Sequence, residues 1–257
     1  VAMLLLLSSC GSVPLTGRKQ VLLVSDQEVL SSSLTQYSDY MKSAKKSSSK
    51  DGAAMVTRVG KKIAAATEQY LRNNGLESEI KNFAWEFNLV NDPQVNAFCM
   101  PGGKIVVYEG LMQLVSSDDE LAVVVGHEVA HAVAKHSNER MSQQLMAQYG
   151  AQILGQALSN KSAAVQKIGA SVYGLGAQYG VMLPFSRKHE SEADYMGLVF
   201  MAMAGYNPAV AVNFWQKMSA GKSGSTPEFM STHPSDATRI NEIKQHLPEI
   251  EKYRVKK

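Results

Sequence analysis

The sequence predicts a mainly α-helical domain with a small antiparallel β-sheet, which is the α+β class. Several stretches begin with helix-capping residues and continue with helix-forming composition. Two short segments have strand patterns, 83–90 and 104–108, and the Pro101-Gly102-Gly103 turn precedes the second. The chain has 257 residues, of which 45% are hydrophobic, and this composition is typical of a folded core.

The N-terminal residues resemble the end of an export signal. An apolar run ends at Cys10, and the small residues around it suit cleavage by a signal peptidase. Because the chain begins with Val1 and has no basic start, we expect that its true N-terminus is missing. The segment 7–10 resembles a bacterial lipobox, which makes Cys10 the expected lipidation site. The alternative is an ordinary signal peptide that contains a cysteine.

The whole chain divides into three expected parts. These are a signal-peptide remnant (1–9), a lipid-anchored, extended tether (10–24) and one catalytic-type domain (25–257). Within that domain, capping residues or helix-forming composition predict helices that begin near residues 25, 53, 117, 139, 186, 207 and 235. The apolar, glycine-containing segment 162–182 is predicted to be helical near the site or partly mobile.

Charge and hydropathy exclude two classes of partner. The 26 Lys and Arg residues against 23 Asp and Glu residues give a scattered net charge of +3, too weak to indicate nucleic acid. No apolar run reaches the length of about 18 residues that spans a membrane. With Cys10 lipidated, Cys99 is the remaining thiol, and we interpret it as a small buried apolar residue.

The segment His127-Glu128-Val129-Ala130-His131 carries the strongest chemical signal. Residues four apart share one face of a helix, so His127 and His131 can bind one metal ion together. Zinc suits two imidazoles and a carboxylate and leaves a fourth position for water, whose pKa it lowers to about 7. Glu128 then accepts the proton of that water and passes it to the leaving amine.

The alternative for this segment is a solvated helix face with two surface histidines. The surrounding residues 121–130 are apolar almost all round the helix, which indicates a buried helix. Buried imidazoles and a buried carboxylate require partners, and a metal ion supplies them.

A third ligand is expected from a second helix. The segment 189–194 offers Glu190, Glu192 and Asp194. Glu190 and Asp194 share a face, whereas Glu192 points elsewhere. A ligand at Glu190, with Asp194 orienting an imidazole from behind, fits this spacing. The alternative is a solvated acidic patch.

Four segments together resemble the gluzincin family of HtpX, the CaaX prenyl endopeptidase and BepA. They lie at 96–103, 127–131, 190–194 and 232–240, in the order of that family. The resemblance implies a zincin-like metalloprotease fold. It points to the soluble, exported branch, because no transmembrane helix is predicted and the sequence has no room for a helical-repeat tail.

The resemblance also implies roles for individual residues. Glu190 becomes the third zinc ligand, and His233 a possible fourth ligand or regulatory residue that restrains activity. The alternative for His233 is a turn residue before a proline. Arg239 is implied to lie near the cleft and bind substrate or the developing oxyanion. Asn96, Ala97 and Phe98 are implied to align the substrate backbone along a strand edge.

We therefore expect a zinc endopeptidase with one Zn²⁺ per chain. The lipobox-like segment at Cys10 predicts a lipid anchor in the bacterial periplasm, with the outer membrane as the expected site of attachment. The resemblance implies misfolded envelope proteins as substrates. The rival hypothesis is a non-proteolytic chaperone or assembly factor for outer-membrane proteins that keeps zinc for structure. A third interpretation makes 139–182 a membrane-surface element, but its polar face has Gln rather than Lys or Arg.

Overall fold

The computed structural model describes residues 10–157, 186–220, 228–233 and 237–255. The helices are α1 (Asp26–Ser43), α2 (Lys50–Asn73), α3 (Glu77–Ile80), α4 (Glu109–Met112), α5 (Asp118–Val133), α6 (His136–Ala157), α7 (Arg187–Met203), α8 (Val210–Ala220), α9 (Glu228–Thr232) and α10 (Ala237–Ile250). The strands are β1 (Cys10–Ser12), β2 (Lys19–Val21), β3 (Glu86–Val90), β4 (Ala97–Met100) and β5 (Lys104–Tyr108). The predicted α+β class is confirmed.

The main sheet is mixed rather than antiparallel. β5 is its central strand, with β3 parallel on one side and β4 antiparallel on the other. The expectation that 83–90 and 104–108 pair in antiparallel fashion is therefore wrong. β4 makes the tight connection to β5 through the turn at Gly102 and Gly103, where positive φ angles of 95° and 77° suit glycine. The chain reverses direction between β3 and β4 and again between β4 and β5, so β3 and β5 run parallel.

Local capping chemistry sets the helix starts as predicted. Ser25 and Glu28 form a complete capping box before α1, and the side chain of Ser117 accepts the backbone N–H of Glu120 at the start of α5. Ser186 does the same for His189 before α7. The caps at Ser117 and Ser186 fix where the two ligand-bearing helices begin.

The two helices that carry the predicted metal ligands, α5 and α7, cross at glycines. A Cβ built on Gly126 would lie 2.8 Å from the carbonyl oxygen of Gly197, and one on Gly197 would lie 2.7 Å from the backbone nitrogen of His127. Only glycine permits this approach of the two backbones. It brings the face of α5 that carries His127 against the face of α7 that carries Glu190.

The expected tether is folded onto the domain. Cys10–Ser12 and Lys19–Val21 pair as an antiparallel hairpin, and Val13 in its turn is buried in the main core. The prediction of an extended segment over 10–24 is wrong, because its turn carries an apolar anchor and the charged side chain of Arg18, which binds carboxylates of the domain.

Some predictions fall outside the described residues. The signal-peptide remnant, the segment 162–182 and the turn at Pro234 belong to this group. Within the ranges that the structure describes, every helix is too short or too polar to cross a membrane.

Candidate metal centre

Four buried side chains converge between α5, α7 and the end of α9. One ligand atom from each of His127, His131, Glu190 and His233 lies within 4.8 Å of all the others. His127 Nε2 is 3.0 Å from His131 Nε2 and 3.2 Å from His233 Nδ1. Glu190 Oε1 lies 3.3 Å from His131 Nε2 and 3.1 Å from His233 Nδ1. These spacings suit a tetrahedral set of donors at about 2.0–2.1 Å from one zinc ion.

The tautomer of His127 directs a lone pair into this group. His127 Nδ1 lies 2.9 Å from Asp194 Oδ1, and because a carboxylate only accepts, Nδ1 carries the hydrogen. The Nε2 lone pair of neutral His127 then points at His131 Nε2 only 3.0 Å away. A proton or a metal ion must separate these two nitrogens. The residues present therefore fit a zinc site.

Glu128 is placed as a base beside this group. Its Oε2 accepts the backbone N–H of Cys99 at 3.0 Å, and its Oε1 lies 3.4 Å from His233 Nε2. Among the described residues, Oε1 has no hydrogen-bond partner although it is buried. Burial raises the pKa of Glu128 above its ordinary value, which suits a proton acceptor working near neutral pH.

Arg239 binds the carboxylates behind the ligands. Its Nη2 donates to Asp194 Oδ1 at 2.9 Å, its Nε also contacts Asp194, and its Nη1 lies 2.9 Å from Glu190 Oε2. The guanidinium stacks 4.7 Å above the ring of Trp215. Arg239 is buried, and its guanidinium orients Glu190 and Asp194 in this structure. Its contact with substrate stays a prediction.

The two imidazoles on α5 have pKa values shifted in opposite directions. Burial alone would lower the pKa of His127, but Glu190 and Asp194 raise it to about 9. Burial holds the pKa of His131 well below its ordinary value, with the nearby His127 acting in the same direction. The carboxylates thus favour positive charge at His127, and a bound metal ion, which requires both imidazoles to be neutral, would take the place of that proton.

The predicted substrate residues lie at or just before strand β4. Asn96 is buried, and its side-chain oxygen accepts the backbone N–H of Ala97 at 2.9 Å. Phe98 packs edge-on against Tyr40, with ring centroids 5.3 Å apart. Asn96 and Phe98 therefore support the strand, and the role of Asn96, Ala97 and Phe98 in aligning substrate stays a prediction. Cys10, the predicted lipidation site, begins β1 opposite Val21.

Sequence reasoning missed a second set of polar residues behind His131. His136 Nδ1 lies 2.8 Å from His131 Nδ1, and His136 Nε2 lies 2.9 Å from Glu192 Oε2. Glu192, expected to point elsewhere, also binds Arg18 at 2.7 Å. Burial would raise the pKa of Glu192, but hydrogen bonds from His136, Thr16 and Arg18 lower it to about 2. The sequence signal that could have revealed this set was His136 itself, a histidine at the start of the helix that follows α5.

The fold and the ligand group together define a zincin-like metallopeptidase domain. The chain belongs to Peptidase family M48, whose profile matches residues 57–247. Zinc is the metal of this family, and the four converging side chains can hold one ion, so the predicted cofactor and the metallopeptidase class are confirmed.

Several named peptidases are similar to this chain. The chain is 36% identical to the mitochondrial metalloendopeptidase OMA1 of Schizosaccharomyces pombe over 205 residues, which cover 76% of this chain and 53% of the relative. It is 40% identical to OMA1 of Arabidopsis thaliana over 168 residues, 65% of this chain and 33% of the relative. The beta-barrel assembly-enhancing protease of Yersinia pestis is 33% identical over 174 residues, 63% of this chain and 36% of the relative. The chain thus spans about half or less of the length of these relatives.

These relatives correct one prediction. The expected location in a bacterial periplasm is overturned, because the OMA1 relatives are named as mitochondrial enzymes and point to a mitochondrion instead. The match to the gluzincin family is confirmed as M48, whereas the exported lipoprotein branch is not. Lipidation at Cys10 stays a prediction without support from these relatives.

Proposed function

We propose that this chain is a zinc endopeptidase that hydrolyses protein substrates in protein quality control. The observation that carries the proposal is the buried convergence of His127, His131 and Glu190 beside a carboxylate, Glu128, that has an uncommitted oxygen. The names of the relatives, mitochondrial metalloendopeptidase and assembly-enhancing protease, support peptide-bond hydrolysis as the reaction.

The roles of the residues follow from their contacts. His127, His131 and Glu190 would hold a zinc ion, which would supply a Lewis acid for an attacking water molecule and for the scissile carbonyl. Glu128 Oε1 accepts the proton of the attacking water and returns it to the leaving nitrogen. Cys99, through its backbone N–H, holds the other oxygen of Glu128 in place. Asp194 holds His127 in the tautomer that presents Nε2.

Substrate alignment is assigned to β4. This strand pairs with β5 on one side and lies at the edge of the described sheet, and its Cys99 already touches Glu128. An extended peptide added along that edge would run past the proton acceptor with its backbone hydrogen-bonded to the strand. Recognition through backbone groups suits an enzyme that accepts unfolded protein segments.

The proposal is tested by removing and restoring the metal. The purified chain is incubated with unfolded casein before and after treatment with a chelator, and then after addition of one equivalent of Zn²⁺. Cleavage is expected to stop on chelation and to return with zinc. Cleavage that continues in metal-free protein would refute the proposal.

One observation favours a second function, an assembly factor with a structural zinc. His233 Nδ1 lies with the other three ligand atoms, and a closed set of four protein ligands is typical of structural sites. Under that function, zinc removal unfolds the chain but the zinc-loaded protein cleaves no casein. Under the endopeptidase function, His233 restrains an enzyme that opens when its ring moves aside.

A further inference from the structure

A second buried cluster lies behind His131, at the ring nitrogen that faces away from the ligand group. We call it the clasp, and its members are Arg18, His136, Glu139 and Glu192. All except Arg18 are buried, and Arg18 enters from the turn of the N-terminal hairpin. The proposed catalytic roles use none of these residues.

The contacts of the clasp form a continuous path to the metal ligand. Arg18 Nε donates to Glu192 Oε2 at 2.7 Å, and His136 Nε2 lies 2.9 Å from the same oxygen. His136 Nδ1 then lies 2.8 Å from His131 Nδ1. Glu139 is a side branch that binds Arg18 at 2.7 Å and His189 at 3.0 Å.

Hydrogen-bond chemistry gives this path a direction. An ionised carboxylate only accepts, so Glu192 requires the hydrogen of His136 on Nε2. Nδ1 of the neutral His136 ring is then an acceptor, and it requires the hydrogen of His131 on Nδ1. His131 is left with its lone pair on Nε2, the atom that faces Glu190 and His127.

We infer that Glu192, held by Arg18, positions His131 as a metal ligand through His136. The inference rests on the metal centre of the proposed function. His127 receives its carboxylate directly from Asp194, whereas His131 receives its carboxylate through an intervening imidazole. Glu192, His136 and Arg18 are therefore positioning residues, and the N-terminal hairpin contributes one of them to the site.

Zinc affinity is the readout, measured on the full 257-residue chain by competition with a chromogenic chelator. Glu192→Met removes the acceptor and frees His136 to take the wrong tautomer, so the affinity is expected to fall about tenfold. Glu192→Gln keeps an oxygen acceptor for His136 and is expected to restore the affinity to within about threefold of the wild type. If Glu192 only supported packing, zinc affinity would not depend on whether residue 192 offers an oxygen acceptor to His136.

Glu139→Met is the matched control, because it makes the same change on the other carboxylate that binds Arg18. It is expected to lower stability but to leave zinc affinity within about threefold of the wild type. Equal affinity for Glu192→Met and Glu139→Met would overturn the inference.

If the Glu192→Met protein does not fold, a measurement on the wild-type protein still tests the inference. Nitrogen NMR of the histidine rings in the zinc-loaded wild type is expected to show hydrogen on Nε2 of His136 and on Nδ1 of His131. The opposite tautomer of His136 would overturn the inference.

His131→Ala separates the two proposals: if it binds zinc like the wild type, the metal centre itself is wrong. If it loses zinc while Glu192→Met does not, only the role of the clasp is wrong.

Discussion

The crossing of α5 and α7 makes Gly197 a sensitive position. In Gly197→Ala the new Cβ would lie 2.7 Å from the backbone nitrogen of His127 and 2.8 Å from the carbonyl carbon of Gly126. Both contacts are with backbone atoms of a buried helix, which have no flexible end to move aside. The two helices must separate, and the separation acts directly on the backbone of the ligand His127.

The magnitude follows from two opposing effects. The first contact falls short of an ordinary van der Waals distance by about 0.7 Å, and overpacking of this kind costs about 1–3 kcal/mol. Alanine in place of glycine within a helix returns about 0.5–1 kcal/mol. Because both contacts are with backbone atoms, the cost lies at the upper end of that range, so the net loss in the free energy of unfolding is about 2–2.5 kcal/mol. For a domain of this size, that loss is a fall in Tm of about 4–10 °C.

Urea unfolding and thermal melting of the zinc-loaded proteins measure this loss. Gly52→Ala, in the first turn of α2, is the matched control, because its Cβ would meet the side chains of Leu89 and Ser49 rather than backbone. It is expected to shift Tm by less than about 2 °C. If Gly197→Ala is as stable as Gly52→Ala, the close crossing is not what sets the helix separation.

Three further predictions concern the carboxylates and the fourth ligand. Arg239→Met leaves Asp194 buried without its cation and is expected to cost about 3–5 kcal/mol in urea unfolding, unlike a surface Arg58→Met. Burial would raise the pKa of Glu139, but His189 and Arg18 lower it to about 2 from an ordinary 4.5. The folded state therefore gains stability above about pH 4.5 and loses it as the pH falls towards 2. Glu139→Gln should flatten the acid limb of the stability curve between these values, and an unchanged limb would contradict the assignment. His233→Ala removes one ligand atom and is expected to weaken zinc affinity about 10-fold or more while raising the cleavage rate of a short peptide; a lower rate would mean that His233 assists rather than restrains.

Local signals predicted much of the fold. Capping residues such as Ser25 and Ser117 act within one turn of their own helix, so their effect is visible in the sequence. The direction of strand pairing is not local. β3 and β5 are parallel because the chain reverses direction twice between them, and they become neighbours because β5 lies between β3 and β4 in the sheet. The residues of either strand alone do not determine that order.

The site residues also divide into those that the local sequence predicts and those that only the folded chain brings together. His127 and His131 are four residues apart on one helix, and spacing alone brings them together. Arg18 and Glu192 meet only because the N-terminal hairpin folds against α7. Neither residue carries a pattern that predicts its partner, so the interpretation of 10–24 as a tether overlooked a contact that only the packed structure shows.

The central claim is tested most directly by Glu128→Gln. The variant keeps the size of the side chain and all four ligand residues, so it is expected to bind one Zn²⁺ per chain with unchanged affinity. Loss of the proton acceptor is expected to lower the rate of casein cleavage by about 10²–10⁴-fold. Zinc-loaded Glu128→Gln that cleaves casein at the wild-type rate would contradict the account.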